Sequence, residues 1–322
     1  MSKKLKVILK CIVSFALLSS LVIYIDMSKF FDLVKSINVS LYLMAVLIFL
    51  MSQLLSPFRW QLLLKSKEVI VSYQKLLKFY FVGMFFNLFL PSNIGGDVVK
   101  VYDLYRYTSK GTESVASVLV DRLTGVMGLT TILFIAYIGY YREIPGNELK
   151  IILIPFLVFF LLVLPASLVN SYISVRARWV ANAVFCNSLL EKVNHGVDTT
   201  IEYWEKKGPF VKAVLMSIVL QGSHIIVFYI IALSLGVKVP MKFFFIFVPL
   251  GMMVSMIPIS INGLGIREWG FVYLFSKIGL SASFAMTLSL LWFLSVTVNG
   301  LFGGIIVINR LQDYFSGIWG GN

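Results

Sequence analysis

The sequence predicts an all-α polytopic membrane protein with about six transmembrane helices and two broken, re-entrant hairpins in an inverted repeat. Composition is the first observation: 59% of the 322 residues are hydrophobic and 13% are charged, whereas about a quarter of a soluble domain is charged. The second is a set of eight runs, each of 15 or more residues, without Asp, Glu, Lys or Arg. The third is that plain and broken runs follow one another in the same order twice.

Composition also excludes several classes of protein. The apolar content is too high for a disordered chain, and two cysteines cannot staple a disulfide scaffold. The net charge of +13 fits loops that face an anionic cytoplasmic leaflet. We therefore expect no nucleic-acid partner.

Six of the eight runs indicate plain spans, because a spanning helix needs about 20 apolar residues. The first run follows four lysines and ends at Tyr24 and Asp26 without a small-residue cleavage site, which predicts an uncleaved helix. The six runs are 11–25, 36–58, 123–141, 151–175, 213–237 and 278–309.

The other two runs, 79–96 and 243–266, are interrupted by proline, asparagine and glycine. Apolar sequence resumes after each interruption, at 97–107 and 266–277. Broken backbone is tolerated at membrane depth only inside protein or against a wet cavity, so both segments are predicted to be re-entrant hairpins. The residues assigned to the breaks are Pro91, Asn93, Gly95, Gly96, Pro258, Asn262, Gly263 and Gly265.

The pattern span–hairpin–span occurs twice at nearly equal spacing. From the opening span of the first copy to that of the second there are three crossings, 41–58, 113–141 and 151–170, and an odd number inverts the second copy relative to the first. Inverted repeats with discontinuous helices are typical of secondary transporters. We predict one membrane domain over 1–322, with an N-terminal helix and loop (1–40), repeat one (41–141), a linking span and surface helix (142–209), repeat two (210–310) and a cytoplasmic tail (311–322).

Lys and Arg set the predicted orientation. The N-terminus and the loops 59–78 and 176–212 are basic, whereas 26–35 and 142–150 are short and charge-balanced. Both termini are therefore expected in the cytoplasm, with the chain in the cytoplasmic (inner) membrane. Apolar residues at helical spacing within 171–208 predict an amphipathic helix on the cytoplasmic surface.

Ionisable residues at membrane depth are costly and are candidates for function. Asp97 opens the second half of the first hairpin, either as a helix cap or beside an anion held by the helix N-terminus. Lys100 lies on the same helix face and can meet either Asp97 or a phosphate. Arg267 and Glu268 follow the second break, where Arg suits a phosphate and the pair can also close the two hairpins together.

Asp121 and Arg122 are neighbours in a span, and neighbouring helical residues do not face each other. Each therefore needs a partner elsewhere, and pairing across the bundle with the hairpins is expected. That pairing can be structural or functional.

No Walker A, HExxH or CxxC pattern is present in the sequence, so neither a cofactor nor a metal is expected. Catalytic motifs are also missing, and the protein is not expected to be an enzyme.

Several of these residues resemble a known family. The stretch from Phe86 to Lys100, then Asp121 with Arg122, then 258–268, is similar to the flippase-like membrane family that includes the membrane domain of lysylphosphatidylglycerol synthases. The resemblance implies movement of a phospholipid or another polar-headed lipid, including a lipid-linked substrate, across the membrane. Those synthases carry a soluble catalytic domain after the membrane part, and this chain ends at Asn322, so synthesis of an aminoacyl lipid is not expected.

The hypothesis is a lipid flippase of the cell envelope. Its substrate-binding residues would be Asp97, Lys100, Arg122, Arg267 and Glu268, with Asp121 in support. The alternatives are a membrane-embedded transferase on a lipid-linked substrate and a non-transporting partner in envelope assembly. The partners expected are the membrane lipid itself and either a second copy of the chain or an envelope-biosynthesis protein.

Overall fold

A computed structural model describes residues 3–90, 95–147, 150, 207–256 and 260–319. Every regular element in these ranges is a helix, which confirms the predicted all-α class. The predicted span 151–175, the predicted surface helix and the break residues Pro91, Asn93 and Pro258 lie outside the described residues. The helices are α1 (Lys3–Tyr24), α2 (Met27–Lys35), α3 (Val39–Ser66), α4 (Tyr73–Phe89), α5 (Gly95–Thr108), α6 (Gly111–Tyr140), α7 (Lys207–Ser234), α8 (Met241–Ser255), α9 (Ile266–Ser276) and α10 (Ala282–Trp319).

Four helices of the described ranges are long and apolar enough to cross a membrane: Val39–Ser66, Gly111–Glu143, Gly208–Ser234 and Ala282–Arg310. The segments Lys10–Tyr24 and Met27–Lys35 would form a fifth span if they are taken together, although they meet at an angle of 89°. The protein is therefore a multi-pass membrane protein. A long helix, two shorter helices and a second long helix follow one another in α3–α6 and again in α7–α10.

Two boundaries differ from the sequence prediction. The segment 26–35 was expected to be a loop, but α2 occupies it because the Asp26 side chain accepts a hydrogen bond from the Lys29 N–H at 3.2 Å and so caps the helix. The second span, 36–58, was expected to end before Arg59, but α3 continues through Pro57 to Ser66. Arg59 and Lys65 therefore belong to a helix and not to a cytoplasmic loop.

Residue contacts divide the chain into two compact units. The first comprises Met1–Ser52, Leu77–Val99 and Ser223–Asn322, and the second comprises Gln53–Leu76 and Lys100–Gly222.

In the first unit, α10 packs closely along α4. A Cβ atom at Gly303 would overlap the carbonyl oxygen of Phe81, and one at Gly304 would lie 2.7 Å from the Phe85 ring. Small residues that allow such close approach are a common means of packing helices in membranes. The first unit also has an aromatic core. In this core the rings of Phe228 and Trp292 stack with centroids 4.4 Å apart.

In the second unit, α3, α6 and α7 share a core. Its buried members are Leu63, Ala116, Val120, Phe210 and Ala213. The small alanines and Gly128, whose added Cβ would lie 2.8 Å from the Ser217 Cβ, let α6 and α7 approach closely.

Candidate functional site

The second hairpin folds back on itself, as the sequence predicts. A Cβ atom at Gly251 of α8 would collide with the Phe271 ring of α9, and one at Gly270 would lie 3.8 Å from a Val254 methyl group. The two halves therefore run side by side in opposite directions, and the break between them forms the tip of the hairpin.

Left-handed backbone makes the turn at this tip. Asn262 has φ 50° and ψ 27° within a short 3-10 turn at Ile261–Gly263, and Asn is among the few non-glycine residues that tolerate this region. Gly263 has φ 73° and Gly265 has φ 88°, which a side chain would strain. These three residues were assigned to the break from sequence, and their backbone angles explain why asparagine and glycine stand there.

A buried ion pair opens α9. Arg267 and Glu268 are 6% and 0% exposed. The Arg267 Nε donates to Glu268 Oε1 at 3.0 Å, the Nη2 of Arg267 donates to the same oxygen, and Ser289 Oγ on α10 donates to it at 2.9 Å. The guanidinium also lies 5.6 Å from the centre of the Phe293 ring, a cation–π distance.

Neighbouring residues can pair here because Glu268 turns back toward the start of its own helix. Its Oε2 accepts the N–H of Gly265 at 2.7 Å, so the carboxylate caps α9 while its other oxygen holds the arginine. An acid in this position is also favoured by the helix dipole. The pair thus lies within one hairpin, supported by α10.

One hydrogen-bonded residue, Asn87, links the two breaks. Its side-chain oxygen accepts the Gly96 N–H at 2.7 Å, and its main-chain oxygen accepts from Asn262 Nδ2, also at 2.7 Å. A Cβ atom at Gly96 would overlap the carbonyl oxygen of Gly83. The start of α5 is therefore pressed against α4, and the tip of the second hairpin is bound to the end of the first half of the first hairpin.

Helix α1 also packs on the second break. Ser14 Oγ accepts the Ile261 N–H at 2.7 Å, and a Cβ atom at Gly265 would lie 2.6 Å from the Leu17 Cβ. The Trp269 indole donates to the Leu17 carbonyl at 3.2 Å. The sequence predicted α1 only as a first span, since a tertiary contact of this kind leaves no pattern in the sequence.

Asp97 and Glu268 occupy equivalent positions in their hairpins. Each is the third residue of its resumed helix, in α5 and α9 respectively. Asp97 is buried, with 8% of its surface exposed. Gly95 precedes it, and a Cβ atom there would lie 2.5 Å from the Leu90 Cβ.

Two buried oxygens at the second break have no hydrogen-bond partner among the described residues: Ser260 Oγ and Asn262 Oδ1. Asn299 Oδ1 on α10 is also buried and has no hydrogen-bond partner among the described residues. Buried polar groups are paired in the great majority of cases. The break therefore offers hydrogen-bonding capacity beyond what the described fold uses.

The remaining candidate residues belong to the second unit. Lys100 is buried in α5, Asp121 is buried in α6, and Arg122 beside it is exposed. Asp121 was expected to pair with a hairpin, but its partner is Arg59 of α3, whose Nε lies 2.8 Å from Asp121 Oδ1. Arg59 also donates to Ser217 Oγ of α7 at 2.8 Å, so this pair ties three long helices together.

The sequence matches a known family, described as the transmembrane region of lysylphosphatidylglycerol synthase, over residues 7–303. The chain belongs to this family. A UPF0104 membrane protein from Pyrococcus horikoshii is 24% identical over 331 aligned positions, covering 95% of this chain and 98% of the relative. No solved structure matches the chain. Membership agrees with the resemblance seen in the sequence and places this multi-pass protein among membrane proteins of lipid-related name.

Sequence reasoning missed several residues that shape these sites. Asn87 lies in the stretch that carries the family resemblance, but it was not assigned to a site because a single amide in an apolar helix does not show what it binds. Ser289 was passed over because serine is common in spans. Arg59 was assigned to a loop because a charge ended the apolar run there.

Proposed function

We propose that this member of the family moves a polar-headed lipid, in the first instance a phospholipid, across the membrane. The observation that carries the proposal is the buried Arg267–Glu268 pair at the start of a discontinuous helix whose tip is bound to a second broken helix through Asn262 and Asn87. Discontinuous helices with their N-termini at membrane depth are a recurring substrate site in transporters, and an ionisable pair at such a site is a functional candidate.

Arg267 is the group proposed to meet the lipid phosphate. A guanidinium offers several donors in a planar fork that matches a phosphate, and two of its nitrogens are held by Glu268. A phosphate would compete with the carboxylate for these donors. Glu268 then keeps its second role, because its Oε2 still caps Gly265.

Ser260 and Asn262 would supply the polar contacts beyond the phosphate. Their oxygens have no partner in the described structure, so they can accept from the hydroxyl or amine donors of a headgroup without breaking a bond. The acyl tails would remain in the surrounding lipid. Asp97, Lys100 and Arg122 stay candidates for recognition on the basis of sequence.

The family is named for an enzyme of lysylphosphatidylglycerol synthesis. Phosphatidylglycerol and its aminoacylated form are therefore the first lipids to test. We propose that this protein moves such a lipid and does not make it. It is further proposed to lie in the cytoplasmic membrane with both termini inside.

Purified protein reconstituted into liposomes with fluorescently labelled lipids of different headgroups tests the proposal. Dithionite reduces only the fluorophores in the outer leaflet. In liposomes that contain the protein it should also reduce lipids that began in the inner leaflet, whereas protein-free liposomes protect these lipids. The rate should differ among headgroups. Incubation with labelled aminoacyl or glycosyl donors should give no new lipid. Product formation without lipid movement would favour a transferase. The absence of both activities would favour a structural partner in envelope assembly.

A further inference from the structure

We infer that a groove between α3 and α7 holds one anionic phospholipid, with its headgroup between Lys65 and Lys212. The groove has a volume of about 580 Å³, within the range of small-ligand pockets, about 300–1,000 Å³. All seven of its described lining residues belong to the second unit, and four of them are apolar. They are Phe58, Gln61, Leu62 and Lys65 of α3, and Lys212, Leu215 and Met216 of α7.

The lining residues follow helical spacing on both walls. On α3 they recur at intervals of three and four residues, and on α7 Lys212, Leu215 and Met216 do the same. One face of each helix therefore forms the groove. The two faces are held together by the core that contains Leu63 and Ala213.

A hydrogen bond fixes the groove from behind. Arg59, next to Phe58, donates to Ser217, next to Met216, at 2.8 Å. A buried polar contact therefore holds the two helices together beside the groove.

Polarity changes along the groove as it does along a lipid. Lys65 lies in the last turn of α3, and Lys212 lies near the start of α7, so both cations stand at the same end. Phe58 and Leu215 lie one to two turns further into their helices and are 45% and 57% exposed. In a spanning chain these exposed side chains meet acyl tails, whereas the lysines reach the headgroup level.

The charge at the mouth selects the occupant. None of the seven described lining residues is acidic, and both lysines are exposed. The sequence predicts that this end faces the cytoplasm, where the leaflet is rich in anionic lipid. A zwitterionic lipid would gain little from two cations, and a free anion would leave the apolar walls uncovered.

Native mass spectrometry of the full chain in detergent tests this inference. Phosphatidylglycerol and phosphatidylcholine with identical acyl chains are titrated onto wild type, Lys65→Gln/Lys212→Gln and the control Lys35→Gln/Lys238→Gln, whose lysines are exposed elsewhere. Each lysine near the surface contributes about 1 kcal/mol, or about fivefold in affinity, so the groove variant should bind phosphatidylglycerol about 25-fold more weakly.

A second pair of variants tests the apolar walls. Leu215→Trp should weaken phosphatidylglycerol binding by filling the groove, and Ile135→Trp, at an exposed position of α6, should leave it unchanged. Equal binding of the two lipids by wild type would overturn the inference, as would equal loss in the groove and control variants. Displacement of the lipid by glycerol 3-phosphate alone would show a soluble-anion site instead. Because lipid movement is not measured, failure here leaves the proposed transport untouched.

Discussion

At the scale of single residues, two buried ion pairs dominate the described structure, and they do different things. Arg267–Glu268 is local to one helix start and touches the break. Arg59–Asp121 joins three long helices. The first is therefore the candidate for chemistry with a substrate, and the second is a structural tie.

Asp121→Asn should destabilise the protein strongly, since it removes the carboxylate that pairs with the buried Arg59. Breaking a buried pair costs about 3–5 kcal/mol. The double variant Arg59→Met/Asp121→Leu should recover much of this loss, because an apolar pair of similar size needs no desolvation. Thermal unfolding in detergent measures both. If the loss of stability in the double variant equals the sum of the losses in Arg59→Met and Asp121→Leu, the pair is not a simple structural tie.

Glu268→Gln should also lower stability. Both carboxylate oxygens are used, one by Gly265 and the other by Arg267 and Ser289, and an amide would turn an NH₂ group toward one of these donors. An unsatisfied buried donor costs about 1–3 kcal/mol. A temperature of thermal unfolding equal to that of wild type would show that the cap at Gly265 is dispensable.

At the scale of elements, most of the helix order followed from sequence. Pro, Asn and Gly clusters located both breaks, and the resumed helices begin within two residues of the positions predicted for them. Prediction failed at Arg59 because a run of apolar residues ends at any charge, whereas a helix continues if that charge finds a buried partner. The contact of α1 with the second break could not be predicted either, because it arises from packing between segments about 250 residues apart.

Gly96→Ala tests the first break. The added methyl group would overlap the Gly83 carbonyl oxygen, and overpacking typically costs about 1–3 kcal/mol. Gly222→Ala in α7 is the control, since nothing lies within 4 Å of its added Cβ atom and alanine favours a helix by about 1 kcal/mol. The temperature of thermal unfolding should fall for Gly96→Ala and should stay the same or rise for Gly222→Ala. Equal stability of the two would contradict the close approach at Gly96.

At the scale of the whole molecule, the described ranges contain the same order of elements twice, and the basic loops predict their orientation. A single cysteine replacing Ile70, which is 85% exposed between α3 and α4, should react with a membrane-impermeant maleimide only after permeabilisation. One replacing the exposed Asn147 should react in intact cells, because the loop after α6 is predicted to lie outside. Cys11 and Cys186 are replaced by serine in both variants. Labelling of both sites from one side would overturn the predicted topology.

The central claim is that Arg267 at the second break takes part in moving a lipid, and lipid movement per folded molecule tests it most directly. Wild type, Arg267→Gln and the control Lys238→Gln, an exposed cation between α7 and α8, are reconstituted at equal folded amounts and assayed by dithionite reduction of labelled phosphatidylglycerol. We predict that Arg267→Gln loses movement by tenfold or more, about 1.4 kcal/mol, while Lys238→Gln keeps it. Equal rates for all three proteins would remove Arg267 from the site and contradict the proposed function's mechanism.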